Sequence, residues 1–352
     1  MFFCLLQKIK AGKQSKSGFL HSPDHIRYTK NMMNRNFQLS SENKTMGDVW
    51  SRMQELFREH EKAELDRFVK KLKDGPDLGV EKHLVMYTSQ SSTDNLRQHY
   101  ETRKMQAADC AADWIKNLAE KLAAFTKSAA IAGLGALAIA IIIDMVSFSP
   151  PEESIKEALR SVLAEEKTSE VWDLIDECLK RFTMHFENRN KLRSDLERIE
   201  SQLSLALTKL KNSMVSDGHM SNQSLKVWVN GAAFHIEMLI HLERLGENQT
   251  CNPIQSLITV YQRDLDTLFE KHKEMVKGKT NRLDLLDPFI KVMQVEDSKY
   301  YFLDLGVDYE KYFEAYYDHR YHRQKLNIQE YFSDLRQNLP QLVRLTGSFS
   351  VN

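Results

Sequence analysis

Apolar residues recur at three- and four-residue steps along most of this chain, which is the period of an amphipathic α-helix. The pattern predicts four longer helices, over residues 47–73, 169–215, 222–245 and 254–276, and a short amphipathic helix over 152–165. Two shorter helices are predicted near residues 308–322 and 327–345. With only 7 prolines and 13 glycines the chain has few breaks. The pattern therefore predicts an all-α fold, an elongated bundle of long amphipathic helices.

Three stretches refine this picture. Apolar residues between 192 and 214 alternate four- and three-residue spacing, which favours packing along a straight partner helix, as in a coiled coil or a helical bundle. Residues 83–89 fit a strand or a helix equally well. Residues 292–306 alternate apolar with polar side chains, so a short β-hairpin is expected there.

Residues 128–148 form the most apolar segment of the chain. From Ser92 to Phe148 there is no proline, and the first glycine is Gly133, so a single helix of more than fifty residues is predicted. "SPPEES" then ends this helix, and Ser149 is predicted to cap the next one. The glycines also match a GxGxxA dinucleotide turn, but no strand precedes them and no βαβ unit fits, so this interpretation is rejected.

Two interpretations of the apolar segment remain. As one helix, residues 128–148 would extend about 31 Å, which matches the hydrocarbon thickness of a bilayer. Small residues that allow close helix packing in lipid recur along it, at Ala129, Gly133, Ala136 and Ala140. A transmembrane or membrane-inserted helix is therefore the first expectation, although Asp144 interrupts the apolar run. The alternative is a buried core helix in which the same small residues pack tightly.

Composition excludes several functional classes. Lysine plus arginine and aspartate plus glutamate number 49 each, so no net positive charge favours nucleic acid. The four cysteines are far apart and lack the spacing of a zinc site or a disulfide framework. The chain contains no known catalytic or nucleotide-binding motif, and His235 and His241 lie on different faces of their predicted helix. We therefore expect a protein that is not an enzyme, with no cofactor and no metal.

The beginning of the chain carries little chemistry. Residues 1–45 lack a helical period and are predicted to be a disordered tail. The first apolar run is too short for a secretory signal. If Met46 were the start, Gly47 would match the myristoylation pattern. The predicted organisation continues with amphipathic helices over 46–127, the apolar segment 128–148, a long helical bundle over 149–278 and a tyrosine-rich helical region over 279–352.

The tyrosine-rich region offers a candidate interaction surface. Helical spacing places Tyr309, Tyr312 and Tyr316 on one stripe. The stripe is a candidate docking surface for a partner protein, or else it packs against the bundle with hydroxyls that reach water. Interleaved acidic residues disfavour base stacking on nucleic acid.

The layout of one central apolar segment among long amphipathic helices, without a catalytic motif, resembles the apolipoprotein-L-type and rapunzel-type vertebrate proteins. The resemblance is one of layout, and it implies association with a membrane. We expect a membrane-associated helical protein that contacts the lipid bilayer and acts by self-association or by binding a protein partner. The sequons at Asn222 and Asn248 would then face outward. The alternative is a cytoplasmic helical scaffold with 128–148 as its core.

Overall fold

The structure is a computed structural model, and it describes residues 46–106, 113, 116–117, 120, 128–147, 154–164, 169–185, 188–246, 250–284, 290–296 and 298–347. The described part is mostly α-helical with one small antiparallel sheet, which confirms the all-α prediction. The predicted tail, residues 1–45, and the second sequon, at Asn248, lie outside the described residues.

The helices are α1 (Met46–Val69), α2 (Lys82–Thr88), α3 (Ser92–Gln106), α4 (Leu134–Val146), α5 (Ile155–Leu163), α6 (Ser169–His185), α7 (Arg189–Val215), α8 (Asn222–Leu245), α9 (Asn252–Gly278), α10 (Tyr309–Tyr317) and α11 (Arg323–Leu342). A 3-10 turn at Ala129–Ile131 precedes α4, and a π-helical turn at Asp318–His322 joins α10 to α11. The strands are β1 (Asn281–Asp284), β2 (Lys291–Gln294) and β3 (Tyr300–Leu303).

The chain divides into two compact units, residues 1–60 and residues 61–352. The described part of the first unit is the beginning of α1, on which Val49, Trp50 and Phe57 are exposed. The second unit contains the remaining described elements.

The prediction of one helix over residues 169–215 is wrong, because α6 ends at His185 and α7 begins at Arg189. The Asn188 side chain accepts a hydrogen bond from the Lys191 N–H and so caps the new helix. Ser154 caps α5 in the same way through Glu157, in place of the predicted Ser149, which lies outside the described residues. The ambiguous segment 83–89 is helical as α2.

The long amphipathic helices pack as the spacing indicates. The apolar positions predicted to face a partner along α7 are buried, with Leu210 partly so: Leu192, Leu196, Ile199, Leu203, Ala206, Leu207 and Met214. Helix α7 packs against both α6 and α8. The apolar face of α7 that the spacing predicted to pack along a partner helix therefore lies inside a helical bundle.

The apolar segment does not form the single long helix that its sequence predicts. Ser128 pairs with Gly347 in a β-bridge, and each backbone N–H donates to the other residue's carbonyl, with nitrogen-to-oxygen distances of 2.8 and 2.9 Å. The chain then makes the 3-10 turn, and Gly133 adopts φ +58° as the residue before α4. Helix α4 has only 13 residues. Within the described ranges, no helix is long and apolar enough to cross a membrane.

Helix α4 lies inside the fold. Every residue from Leu134 to Asp144 is buried. The helix packs against α2, α3, α5, α6 and α8. Most apolar side chains of α4 are therefore buried by contacts with other helices of the chain.

The predicted hairpin is confirmed as β2 and β3. The sequence pattern did not predict β1, which adds a third strand to the sheet. The three strands pair in the order β1-β2-β3, both times antiparallel. Ser298, at φ +59°, turns the chain between β2 and β3, with its N–H bonded to the Val295 carbonyl. A left-handed residue at this point is typical of a three-residue hairpin loop.

Candidate functional site

Helix α8 is the central helix of the second unit, and it carries a buried polar stripe. Glu237, His241 and Arg244 follow one another at four- and three-residue steps, so all three lie on one helical face. Each is at most 1% exposed. Charged side chains are rarely buried so completely unless they are paired, so this stripe is the least ordinary chemical feature of the core.

Arg244 joins three separate parts of the chain. Its Nε donates to the Leu342 carbonyl at 2.6 Å, and its Nη1 donates to the Ala132 carbonyl at 3.1 Å. Its Nη2 lies 4.0 Å from the Glu237 carboxylate. The guanidinium thus ties α8 both to the C-terminal end of α11 and to the turn that precedes α4.

The position of Arg244 explains Gly133. A Cβ atom at residue 133 would lie 2.0 Å from Arg244 Nη1, and the positive φ of +58° disfavours any side chain there. The spacing of small residues placed Gly133 on a lipid-facing ridge, but the structure places it against Arg244 instead. Gly133 provides the space in which the Arg244 guanidinium reaches the backbone.

Glu237 and His241 occupy the apolar interior next to this arginine. Burial raises the pKa of Glu237 to about 7, although the charge of Arg244 opposes the shift. Burial, and then the charge of Arg244, lowers the pKa of His241 to about 3. No described residue makes a hydrogen bond to either carboxylate oxygen of Glu237. The stripe can therefore gain or lose a proton at Glu237 near neutral pH while His241 stays neutral.

Asp144 fixes the other end of α4. Its Oδ1 lies 2.8 Å from His99 Nε2 and accepts a hydrogen bond from Arg103 Nε at 2.8 Å. Its Oδ2 accepts the Ile155 N–H at 2.9 Å. Burial favours a raised pKa for Asp144, but these hydrogen bonds and the charges of His99 and Arg103 hold it below its ordinary value. Asp144 is thus an ionised anchor between α3, α4 and α5.

The other residues of the predicted small-residue ridge also lie in or near the core. Ala136 and Ala140 are fully buried, and Ala129 is partly buried in the 3-10 turn. Because Ala129 and Gly133 precede the helix, only Ala136 and Ala140 share a face of α4. The close packing that small residues allow is used here between helices of one chain.

The predicted tyrosine stripe is largely internal. Tyr312 and Tyr316 are buried, and their hydroxyls bond to the Asp304 N–H and to Glu296. Tyr309 is partly buried and donates to the Thr280 carbonyl at 3.2 Å. Tyr312 and Tyr316 therefore follow the packing alternative and present no exposed docking stripe.

Two further histidines make internal hydrogen-bonded chains. His235 Nε2 lies 2.8 Å from Glu200, and its Nδ1 lies 2.7 Å from the Tyr261 hydroxyl. His272 links the Asn222 side chain at 2.6 Å to the Tyr317 hydroxyl at 3.0 Å. The amide of the first sequon is therefore engaged inside the protein.

The face shared by polar residues on α8 is not the one that carries His235. Comparison of His235 with His241, which lie on different faces, missed the face shared by Glu237, His241 and Arg244. Polar residues at four- and three-residue spacing in an otherwise apolar helix were the available signal. In the part of the chain that the structure describes, no cluster of three or more histidine, cysteine or acidic side chains could hold a metal ion.

Comparison with models of known protein families gives no match, and neither curated proteins nor solved structures give one. The resemblance in layout to apolipoprotein-L-type and rapunzel-type proteins thus stays a prediction.

Proposed function

We propose that this chain is a non-enzymatic helical scaffold that acts by self-association or by binding a protein partner, and that its apolar helix is its own core. The observation that carries the proposal is the burial of α4 by other helices of the chain. Eleven consecutive residues, Leu134–Asp144, are buried by other helices of the chain. This corresponds to the core alternative of the sequence analysis.

Polar anchors at both ends of α4 support its assignment to the core. At one end, Arg244 holds the Ala132 carbonyl. At the other, Asp144 is paired with His99 and Arg103. Moving α4 into lipid would leave each of these charges without its partner, and breaking a buried pair costs about 3–5 kcal/mol. These contacts favour a helix that stays within the fold.

The polar stripe on α8 has a structural role in this proposal. The three groups that Arg244 contacts belong to the chain itself, and Glu237 lies next to it rather than next to an open cleft. The equal numbers of acidic and basic residues also argue against nucleic acid as the partner. A surface for protein association is therefore the function that the arrangement supports best.

Ala136→Leu tests the core assignment in purified full-length protein without lipid. Because Ala136 is fully buried, the larger side chain overpacks the core, and we expect the free energy of unfolding to fall by about 1–3 kcal/mol. Met145→Leu is the matched control on the same helix, since Met145 is 53% exposed, and it should leave stability unchanged.

Alkaline carbonate extraction from cells provides the opposing assay. Release of the full-length protein into the supernatant, with Ala136→Leu destabilised, supports the proposal. Retention in the membrane pellet, with Ala136→Leu as stable as the parent, overturns it. A specific turnover by the purified protein would overturn its non-enzymatic part.

A further inference from the structure

Strand β3 is an edge strand of the sheet, and it carries the two most exposed aromatic side chains among the described residues of the second unit. Phe302 is 74% exposed and Tyr300 is 57% exposed. The two residues are separated by one position, so both side chains point to the same face of the sheet. Tyr301, between them, points to the opposite face, where its ring lies 5.5 Å from that of Phe68.

The hairpin geometry shows where the backbone groups of β3 point. The Val295 N–H donates to the Lys299 carbonyl at 2.9 Å, so these two residues form a hydrogen-bonded pair. In an antiparallel ladder such pairs alternate with pairs that exchange no hydrogen bond. The next pair, Gln294 with Tyr300, is therefore not bonded, and neither is Val292 with Phe302. The N–H and C=O groups of Tyr300 and Phe302 thus point away from β2, toward the free edge.

This free edge has defined ends. At one end the Asp304 N–H, the next group to point outward, already donates to the Tyr312 hydroxyl at 3.0 Å. At the other end the left-handed Ser298 turns the chain back toward β2. No described residue accepts from the backbone N–H of Tyr300 or Phe302 outside the ladder. A short strand with two outward-facing residues is left to accept a partner.

We propose that β3 pairs antiparallel with β3 of a second copy of this chain, about a two-fold axis at Tyr301. In this register Tyr300 lies opposite Phe302 of the second copy, and Phe302 lies opposite Tyr300 of the second copy. All outward-facing groups of both residues then form backbone hydrogen bonds. Edge strands with unpaired backbone groups are the usual template for such pairing.

The side chains fit the same register. Each Tyr300 ring comes to lie beside a Phe302 ring on one face, and aromatic cross-strand pairs stabilise antiparallel sheets. In this register Lys299 lies opposite Leu303 of the second copy and Asp304 lies opposite Ser298, so no like charges face each other directly across the axis. This surface gives the self-association in the proposed function a definite site, and it does not depend on where α4 lies.

Sedimentation velocity of the full-length protein over a range of concentrations tests the dimer. We expect a reversible monomer–dimer equilibrium for the parent chain. Phe302→Lys places like charges across the two-fold axis, and it should weaken association at least about tenfold, which is about 1.4 kcal/mol. Leu326→Lys is the matched control, because Leu326 is 49% exposed and belongs to α11 rather than to the sheet, and it should associate like the parent.

A second variant tests the backbone pairing itself. Proline is tolerated on edge strands where the N–H faces outward, so Tyr300→Pro should keep the helical circular dichroism of the parent while losing the dimer. A parent that stays monomeric throughout, or a dimer that survives both Phe302→Lys and Tyr300→Pro, overturns the proposal. A monomeric parent with Ala136→Leu destabilised would overturn this dimer and leave the core assignment standing.

Discussion

Glu237→Gln is the most informative single change, because it separates the charge of the buried stripe from its shape. Glutamine has nearly the size of protonated glutamate but cannot ionise. Burial raises the pKa of Glu237 from its ordinary value of 4.5 to about 7. The folded protein therefore holds a proton at Glu237 that the unfolded chain releases over this pH range.

The sign of the pH dependence follows from this difference. Since the pKa is higher in the folded state, the contribution of Glu237 is fully favourable below pH 4.5 and is lost as the pH rises through about 7. Each tenfold difference in proton affinity is worth about 1.4 kcal/mol, so the loss amounts to about 3 kcal/mol at pH 8 and above. Glu237→Gln should thus raise the free energy of unfolding by about 3 kcal/mol at pH 8, and by less than about 1 kcal/mol at pH 5.

Urea unfolding followed by circular dichroism at both pH values measures this difference. His241 and His272 also titrate differently in the folded protein, but they do so in parent and variant alike, so their effects cancel in the comparison. Glu200→Gln is the matched control: the hydrogen bond from His235 lowers the pKa of Glu200, so this change should give no gain at pH 8. A pH-independent effect of Glu237→Gln, or a loss of stability at pH 8, would refute the reasoning, because either result means that Arg244 keeps Glu237 ionised.

Three further substitutions test the contacts around α4 and the hairpin by the same unfolding assay. Gly133→Ala forces a side chain into a positive φ and against Arg244, so it should cost at least about 2 kcal/mol; an unchanged stability would show that Arg244 can move aside. Asp144→Asn removes the charge that His99 and Arg103 face, and a loss of about 3–5 kcal/mol is expected at pH 7, with a value near zero arguing that the ion pair is not formed. Ser298→Gly relieves a left-handed residue in an exposed turn and should gain about 0.5 kcal/mol, the difference between the removed strain and the added chain entropy; a loss would count against the turn conformation.

The helical part of the fold was predictable because each helix carries its own signal. The bounds of α8 match the predicted 222–245, and the apolar face of α7 was predicted from spacing alone. The breaks were harder, because they depend on distant partners. Gly347 pairs with Ser128 and Arg244 binds the Ala132 carbonyl, and neither contact leaves a trace in the local pattern around residue 130.

The environment of the apolar segment also depends on residues that are distant in sequence. Composition and length fit a lipid environment and a protein core equally well. Asp144 was the discriminating residue, since an acidic group near the end of an apolar run needs a partner. That partner is the pair His99 and Arg103, which precedes it by about forty positions and could not be assigned from one sequence. The polar stripe on α8 was locally visible, but its importance lies in burial, which a helical wheel alone does not give.

The bridge between Ser128 and Gly347 has a consequence for the timing of synthesis. Helix α4 is made before Gly347, whose backbone pairs with Ser128 ahead of the helix, and before Leu342, whose carbonyl accepts from Arg244. At about 5–20 residues per second, the roughly 200 intervening residues take on the order of 10–40 s. During that interval α4, the most apolar of the described helices, lacks some of the contacts that later bury it, so a chaperone is most able to bind it then.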